Sequence, residues 1–241
     1  MKHIGILAHS AEGSALCYLA ACHEGSRRLG RPHSHPDITL SVIAMAESLD
    51  AWERLDLPPI RATLAETASR LKAAGADFWV CPDNTAHIAF EAPGDPLPLP
   101  GLHIAEIVAD TAMAQGHKKI GVLGTKWTMD GPVYRGAFSR RGLGFEIPEP
   151  AERDLVNRVI FDELCNGIFA DGSRAEYVRI IEQLKQRGCD AVVLGCTEIP
   201  LLVTPDASPL PTLDSTRLLA HAAVDVALGD RPLPTWRGGP L

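Results

Sequence analysis

The second half of the chain repeats the first. Residues 75–85 align without gaps with residues 188–198, so that Gly75 corresponds to Gly188 at an offset of 113 residues. Earlier in each half, residues 2–7 match residues 119–123 at nearly the same offset. The chain has 241 residues, and two domains of about 120 residues each would have an ordinary domain size. The repeat therefore predicts two similar units, each of which ends a buried strand in a polar, reactive residue.

Short apolar runs alternate with segments whose apolar residues recur at helical spacing. Strands are predicted at residues 3–8, 38–44, 78–81, 120–123 and 191–194, and helices at residues 14–29, 59–74, 104–114, 153–169, 174–187 and 215–228. The alternation predicts two pseudo-symmetric α/β domains with parallel sheets, joined through a proline-rich and glycine-rich loop at residues 91–100. We expect a first domain of residues 1–101 and 215–241, a second of residues 102–214, and an active site in the cleft between them.

Bulk properties exclude several classes of function. The chain has 30 acidic and 23 basic residues and a formal net charge of −7, so we expect no nucleic-acid partner. No apolar run approaches the roughly 20 residues that a membrane helix needs, and we expect no membrane partner. The six cysteines show neither C-x-x-C spacing nor the density of a disulfide scaffold. With no signal-peptide pattern at the N-terminus, these features predict a cytoplasmic protein with reduced thiols.

Asp83 and Cys196 occupy equivalent positions in the repeat, each directly after a predicted strand. Ligands of parallel α/β folds bind at the carboxyl ends of the strands. Cys196 is interpreted as a catalytic thiol whose thiolate is favoured by a helix N-terminus, although a cysteine can also be a small buried hydrophobe. Asp83 is interpreted as a general acid or base in a partly dry cleft, and its alternative function is to cap a helix.

Neutral hydrogen-bond donors follow the same strands. Together with helix N-termini they would hold a substrate carboxylate without a metal, although each of them is also a common cap or turn residue. This predicted set consists of Asn84, Thr85, Thr125, Thr128 and Thr197. His33 and His35 have no further ligand at metal-site spacing, so no metal site is expected. The phosphate-binding and dinucleotide-binding glycine motifs and the full G-x-S-x-G elbow are absent, which argues against nucleotide chemistry and a serine hydrolase.

Three of these segments together resemble a known family. Asn-Thr-Ala-His at residues 84–87, Leu-Gly-Thr-x-x-Thr at residues 123–128 and Gly-Cys-Thr-Glu at residues 195–198 are similar to motifs of the cofactor-independent aspartate/glutamate racemases. The similarity is strongest over residues 75–224. It implies two α/β domains with the active site between them, and one cysteine from each domain on opposite faces of the substrate α-carbon. One thiolate would remove the α-proton and the opposite thiol would return one, with no pyridoxal phosphate or metal. A homodimer is also implied.

The resemblance assigns roles residue by residue. Cys196 matches the second catalytic cysteine, whereas Asp83 stands where the family has its first. Some relatives also lack the first cysteine: a broad-specificity subgroup has threonine there, and arylmalonate decarboxylase-like members work with one cysteine. Cys165 stands where some aspartate-specific members have a lysine for the distal carboxylate. Asn84, Thr85, Thr125, Thr128 and Thr197 match the positions that hold the substrate carboxylate in the family. The N-terminal loop differs from that of many members, and its Ser10 is predicted to bind substrate as well.

Three functions are consistent with this pattern. The first is a racemase or epimerase of an acidic or related amino acid, in which Asp83 and Cys196 exchange the α-proton. The second is a single-cysteine carbanion enzyme, such as a decarboxylase, isomerase or lyase acting on a small carboxylic acid. The third, from another class, is a small-metabolite-binding protein without catalytic activity.

Overall fold

The computed structural model describes residues 1–8 and 10–241, and His9 of the N-terminal loop lies outside them. These residues form two compact units. Unit 1 consists of Met1–Ile104 and Thr216–Leu241, and unit 2 consists of Ala105–Ser215. The domain bounds expected from the sequence stay a prediction. None of the described helices is long and apolar enough to cross a membrane.

Unit 1 is built on a four-stranded parallel sheet with the order β2-β1-β3-β4. Its strands are β1 (Ile4–Ala8), β2 (Ile38–Val42), β3 (Phe78–Val80) and β4 (Gly101–Leu102). Its helices are α1 (Ala11–Leu29), α2 (Leu49–Glu53), α3 (Leu57–Ala73), α4 (Ala86–Glu91) and nearly all of α11 (Ser215–Leu228), with a short 3-10 turn at Met45–Glu47. The strands β1 and β3 are fully buried, as expected for strands at the centre of a parallel sheet.

Unit 2 repeats this arrangement, with the strand order β6-β5-β7-β8. Its strands are β5 (Lys119–Gly124), β6 (Gly144–Glu146), β7 (Ala191–Gly195) and β8 (Thr212–Asp214). Its helices are α5 (Ile104–Ala114), α6 (Lys126–Asp130), α7 (Pro132–Ser139), α8 (Pro150–Asp162), α9 (Asp171–Gln186) and α10 (Ile199–Leu202), with a 3-10 turn at Leu164–Asn166. Strand order and direction therefore confirm the predicted duplication and the α/β fold class.

All five strands expected from the sequence are present. Gly75 and Gly188 end the preceding helices with φ values of +91° and +88°, as the helix-stop prediction requires. One predicted helix was wrong at its C-terminal end, because α8 stops at Asp162 rather than at residue 169. A 3-10 turn and the left-handed Gly167, with φ of 73°, follow it and turn the chain away from the helix axis.

Candidate active site

Asp83 lies in the turn between β3 and α4. One oxygen of its carboxylate accepts a hydrogen bond from the backbone N–H of Ala86, the first residue of α4, at 3.2 Å. Its main-chain carbonyl accepts hydrogen bonds from His87 Nδ1 at 2.9 Å and from the Cys81 thiol at 3.9 Å. The Asp83 side chain thus bonds the first amide of α4, although the N-cap residue of this helix is Thr85. This bond does not exclude acid–base chemistry, because a carboxylate can accept several hydrogen bonds at once.

Asn84 and Thr85 complete this turn. Asn84 is 4% exposed and Thr85 is 9% exposed. Their carbonyls accept from the backbone N–H groups of His87 at 3.3 Å and Ile88 at 3.0 Å, which starts the helical turn of α4. The two polar side chains predicted to hold a substrate carboxylate therefore lie in the same turn as Asp83.

Ser10 follows β1, the strand that pairs with β3. It is the N-cap of α1, and its hydroxyl oxygen accepts a hydrogen bond from the backbone N–H of Gly13 at 3.2 Å. This contact satisfies one of the amide groups left without a partner at a helix N-terminus. The structure therefore gives Ser10 a capping function, and its predicted contact with substrate stays a prediction.

Cys196 follows β7, which is the equivalent of β3 in unit 2. Its Sγ donates a hydrogen bond to Oε2 of Glu198 at 2.9 Å. The Glu198 side chain is buried, with 2% of its surface exposed. Burial of the thiol, followed by the negative charge of Glu198, raises the pKa of Cys196 well above its ordinary value.

The expectation that the thiolate of Cys196 is favoured was therefore wrong for this structure. The helix that follows, α10, has only four residues and begins at Ile199 rather than at the cysteine. A carboxylate at hydrogen-bond distance outweighs the weak dipole of so short a helix. The resting form of Cys196 is consequently the neutral thiol, which is a proton donor.

Cys165 and Tyr177 are among the neighbours of Cys196. Cys165 and Cys196 both pack, half-buried, against the core of unit 2. Tyr177 donates its hydroxyl to the carbonyl of Val156 at 3.0 Å. Burial raises the pKa of Tyr177.

Thr125 and Thr128 lie at the start of α6, directly after β5. Thr125 caps the helix by accepting from the backbone N–H of Thr128 at 3.2 Å, and the two hydroxyl oxygens are 3.2 Å apart. Thr128 packs against the ends of both central strands, since a Cβ added at Gly124 or Gly195 would lie 3.0 or 3.3 Å from its side chain. The two glycines therefore allow the threonine to sit directly beside the end of β7.

Each unit thus brings its own predicted residues together at the carboxyl ends of two paired strands. In unit 1, β1 and β3 deliver Ser10, Asp83, Asn84 and Thr85. In unit 2, β5 and β7 deliver Thr125, Thr128, Cys196 and Thr197, the last of which is 7% exposed. The arrangement supplies one carboxylate, one thiol and several neutral hydrogen-bonding groups at equivalent places of the duplicated fold.

Sequence reasoning assigned no individual role to Glu198 or His87, although both belong to the quoted motifs. Their contacts with Cys196 and with the main chain of Asp83 depend on side-chain direction after the strand ends. The available signal was spacing: Glu198 stands two residues after the thiol and His87 four residues after the aspartate. Within residues 1–8 and 10–241, no group of three or more His, Cys, Asp or Glu side chains is arranged to hold a metal ion.

Comparison with known proteins agrees with this geometry. The model of the Asp/Glu/Hydantoin racemase family matches residues 6–223. The chain belongs to this family. It is 27% identical over 177 residues to the broad specificity amino-acid racemase RacX of Bacillus subtilis, an alignment that covers 72% of this chain and 75% of the relative. Membership in the family indicates an isomerase of the racemase type.

Two solved structures of the family are also similar over nearly their whole length. A candidate Asp/Glu racemase from Yersinia pestis superposes with a TM-score of 0.82 and 34% identity, covering 95% of this chain and 100% of the other. An aspartate racemase homologue from Pyrococcus horikoshii OT3 superposes with a TM-score of 0.77 and 27% identity, with the same coverage of 95% and 100%.

Proposed function

We propose that this protein is a racemase or epimerase of an acidic or related amino acid that works without pyridoxal phosphate. Asp83 and Cys196 are the two acid–base groups and act on opposite faces of the substrate α-carbon. The observation that carries the proposal is that a residue able to donate or accept a proton follows the equivalent strand in each unit. One unit presents a carboxylate, and the other presents a thiol that donates to Glu198 at 2.9 Å.

In the proposed reaction the Asp83 carboxylate takes the α-proton from one enantiomer, and the carbon is left as a carbanion. The Cys196 thiol then gives its proton to the opposite face, which inverts the configuration and leaves a thiolate and a protonated Asp83. In the reverse direction the thiolate removes the α-proton. Since burial and Glu198 raise the pKa of Cys196, the thiolate is a strong base once it forms.

The substrate carboxylate requires hydrogen-bond donors near both acid–base groups. We assign this task to the amide of Asn84 and the hydroxyls of Thr85, Thr125, Thr128 and Thr197. Asn84, Thr85 and Thr197 lie in the same turns as Asp83 or Cys196, and Thr125 and Thr128 follow β5, the strand paired with β7. Neutral donors suit this function because they bind the substrate carboxylate without placing a further charge beside the acid–base groups.

Charge near Cys196 sets a condition on the substrate side chain. Because the carboxylate of Glu198 lies 2.9 Å from the thiol, we expect a distal substrate carboxylate to point away from Glu198. Aspartate with asparagine and glutamate with glutamine form two nearly isosteric pairs that differ in this charge. Faster turnover of the amides would show that the unit 2 charges reach the side chain.

Proton NMR in deuterated water tests the proposal. Both enantiomers of the four amino acids are incubated with the purified protein, and loss of the α-proton signal is followed together with chiral chromatography. We expect solvent deuterium in the product of inverted configuration for at least one of them. Cys196→Ser and Asp83→Asn should each slow the exchange by about 10²–10⁴-fold, the usual contribution of a placed acid or base. Cys22→Ser, a half-buried thiol on α1, is the matched control and should leave the rate unchanged.

Exchange that is absent for every amino acid of the panel would reject the proposal. So would exchange that survives in Cys196→Ser at the wild-type rate, since no second group could then be credited to the unit 2 face. Folding of each variant is checked by circular dichroism, so that loss of activity is attributed to the side chain rather than to unfolding.

A second candidate function is favoured by one contact. The Asp83 carboxylate already accepts from the backbone N–H of Ala86 at 3.2 Å, which suits a group that orients substrate as well as one that carries a proton. Cys196 would then be the only acid–base group, in a decarboxylation, isomerisation or elimination of a small carboxylic acid. Substituted malonates and unsaturated diacids are the test compounds. Racemisation without release of carbon dioxide or a shift of a double bond would contradict it.

A homodimer belongs to the same proposal. It is motivated by the family resemblance, and sedimentation velocity of the purified protein measures it directly. A species of twice the 25.9 kDa chain mass is the expected result, and a single monomeric boundary at all concentrations would reject it.

A further inference from the structure

His87 is a buried histidine that the proposed reaction does not use. Its side chain is 0% exposed and lies behind the turn that carries Asp83. Nδ1 is 2.9 Å from the main-chain oxygen of Asp83, and Nε2 is 3.2 Å from the backbone nitrogen of Ile104. One imidazole ring therefore joins the loop after β3 to the loop after β4, the neighbouring strand.

These two partners favour one tautomer. A carbonyl oxygen can only accept and a backbone N–H can only donate, so both contacts are satisfied when Nδ1 carries the proton and Nε2 presents its lone pair. Ile104 opens α5, and its N–H is among those with no acceptor inside the helix. The carbonyl of Leu102 also lies near the ring and, like that of Asp83, favours a protonated ring nitrogen. The alternative tautomer therefore carries its proton on Nε2.

The ring is held on its other sides by an aromatic cluster, which we define as Phe90, His103 and Trp236. Trp236 lies nearly parallel to the His87 ring, at 12° and 6.3 Å, and His103 meets it edge-on at 4.6 Å. His103 in turn bonds Glu91 at 2.9 Å. The C-terminal segment is fixed by the hydrogen bond from Gly101 N–H to the Trp236 carbonyl at 2.8 Å. The orientation of His87 is thus fixed by packing as well as by its two hydrogen bonds.

We propose that His87 is a positioning residue for Asp83: as a neutral imidazole protonated on Nδ1, it holds the Asp83 main chain against the first residue of α5 and so sets where the carboxylate stands. It touches no substrate and carries no proton during turnover. The inference rests on the proposed function for its kinetic test and on structure alone for its spectroscopic test. Burial, followed by the nearby His103, lowers the pKa of His87 well below its usual value, which agrees with a neutral ring.

The first experiment is independent of activity. Two-bond ¹⁵N–¹H correlation spectra of the wild-type protein report the tautomer of each histidine. We expect the Nδ1–H pattern for His87, unchanged between about pH 5.5 and 8.5, the range in which ordinary histidines titrate. A proton on Nε2, or a ring that becomes doubly protonated within this range, would overturn the inference even if the protein were fully active.

The second experiment compares three replacements. The amide nitrogen of His87→Asn can take the place of Nδ1 and keep the bond to Asp83. The amide oxygen of His87→Gln can take the place of Nε2 and accept from the Ile104 N–H, and His87→Phe keeps only the ring volume. We expect kcat to fall in the order Asn, Gln, Phe, with a loss of about 10²-fold in His87→Phe, as for a misplacement of about 1 Å. KM should change less than kcat, because the hydroxyls of unit 2 that are assigned to the substrate carboxylate, those of Thr125, Thr128 and Thr197, are unchanged.

His35→Gln is the matched control, since it replaces a histidine of unit 1 that bonds the carbonyl of Pro36 instead of that of Asp83. Its kcat should stay within about threefold of wild type even where its Tm falls. Equal losses of kcat in the three His87 variants that follow their losses of Tm would show a packing residue only and overturn the inference. If the wild-type protein turns over no amino acid, the proposed function fails separately from this inference. The backbone amide chemical shift of Asn84, which shares a peptide unit with the Asp83 carbonyl, then reports whether the three variants displace this turn in the same order.

Discussion

Gly195 offers a direct test of how the end of β7 places Cys196. Its φ is not in the left-handed region, so alanine is acceptable to the backbone and only packing opposes it. The added Cβ would lie 2.8 Å from the carbonyl oxygen of Leu123 and 3.3 Å from Cγ2 of Thr128. Real Cβ atoms do not approach other heavy atoms within 3.0 Å, so something must move.

The atom that blocks this methyl group cannot yield easily. Leu123 belongs to β5, which pairs in register with β7 through Leu123 with Leu194 and Gly124 with Gly195. Turning its carbonyl away would disturb this ladder, so β7 must shift instead. Overpacking of this kind costs about 1–3 kcal/mol. A shift of about 1 Å at the next residue, Cys196, would lower turnover by about 10²-fold.

Hydrogen exchange and turnover measure the two effects separately. Exchange followed by mass spectrometry on peptides from β5 and β7 reports the local stability of unit 2, which a global unfolding curve of a two-unit chain would mix with that of unit 1. Gly172→Ala is the matched control: it stands in α9 with nothing within 4 Å of the added Cβ. Alanine is the better helix former by up to about 1 kcal/mol, so this control should be neutral or stabilising.

The expected result is faster exchange in β5 and β7 and a loss of turnover in Gly195→Ala, with neither effect in Gly172→Ala. Wild-type exchange rates together with wild-type turnover in Gly195→Ala would refute the reasoning. Such a result would mean that the two strand ends are not packed as closely as the 2.8 Å approach implies.

Four further predictions concern charge and hydrogen bonding. Glu198→Gln removes the negative charge that, after burial, raises the pKa of Cys196. The pH profile of Cys196 alkylation by iodoacetamide, measured by peptide mass spectrometry, should therefore move to lower pH. An unmoved profile would contradict the electrostatic cause. Because the folded-state pKa of Cys196 is raised, the stability contributed by the neutral thiol is intact below the ordinary value of about 8.5 and is lost as the pH rises toward the folded-state pKa. Thermal unfolding at alkaline pH should therefore show a smaller loss of Tm in Cys196→Ser. Asp83→Cys should raise racemisation measured by chiral chromatography, and a fall to the level of Asp83→Asn would show that the turn does not accept a thiol. Arg61→Met removes a buried guanidinium that is bonded to three main-chain carbonyls, so it should lower the free energy of unfolding in denaturant by about 2–4 kcal/mol. Arg70→Met, at an exposed position on the same helix, should lower it by at most about 1 kcal/mol.

Much of the fold could be predicted from the sequence because the repeat is a long-range constraint. Once residues 75–85 are aligned with residues 188–198, the same topology must serve both halves, and the end of β3 becomes equivalent to the end of β7. Glycines after α3 and α9 mark the helix ends independently. The strands that were missed, β4, β6 and β8, have only two or three residues. Such strands carry too few residues for a periodicity and exist because a neighbouring strand is already in place.

The electrostatic state of Cys196 could not be predicted in the same way. A helix N-terminus and a nearby carboxylate shift the pKa of a thiol in opposite directions, and the outcome depends on their distances. In the sequence Cys196 and Glu198 are two residues apart, which in a strand would place them on the same face and in a helix on different faces. The turn after β7 brings Sγ to 2.9 Å from the carboxylate, a distance that no local pattern specifies.

The raised pKa of Cys196 also bears on why an aspartate can be tolerated at position 83. In a pair of thiols both groups would need the same environment to exchange roles, whereas in the proposed pair the Asp83 carboxylate is the base and the Cys196 thiol, whose pKa is raised by burial and Glu198, is the acid. The proposed cycle then begins without a prior proton transfer for the enantiomer whose α-proton faces Asp83 and requires ionisation of Cys196 for the other. The kcat for that other enantiomer should therefore rise with pH more steeply than the kcat for the first. Parallel pH profiles of kcat for the two enantiomers would contradict this expectation. They would show that Asp83 and Cys196 exchange protons with solvent faster than the chemical step, so that the direction of turnover does not depend on which group is protonated at rest.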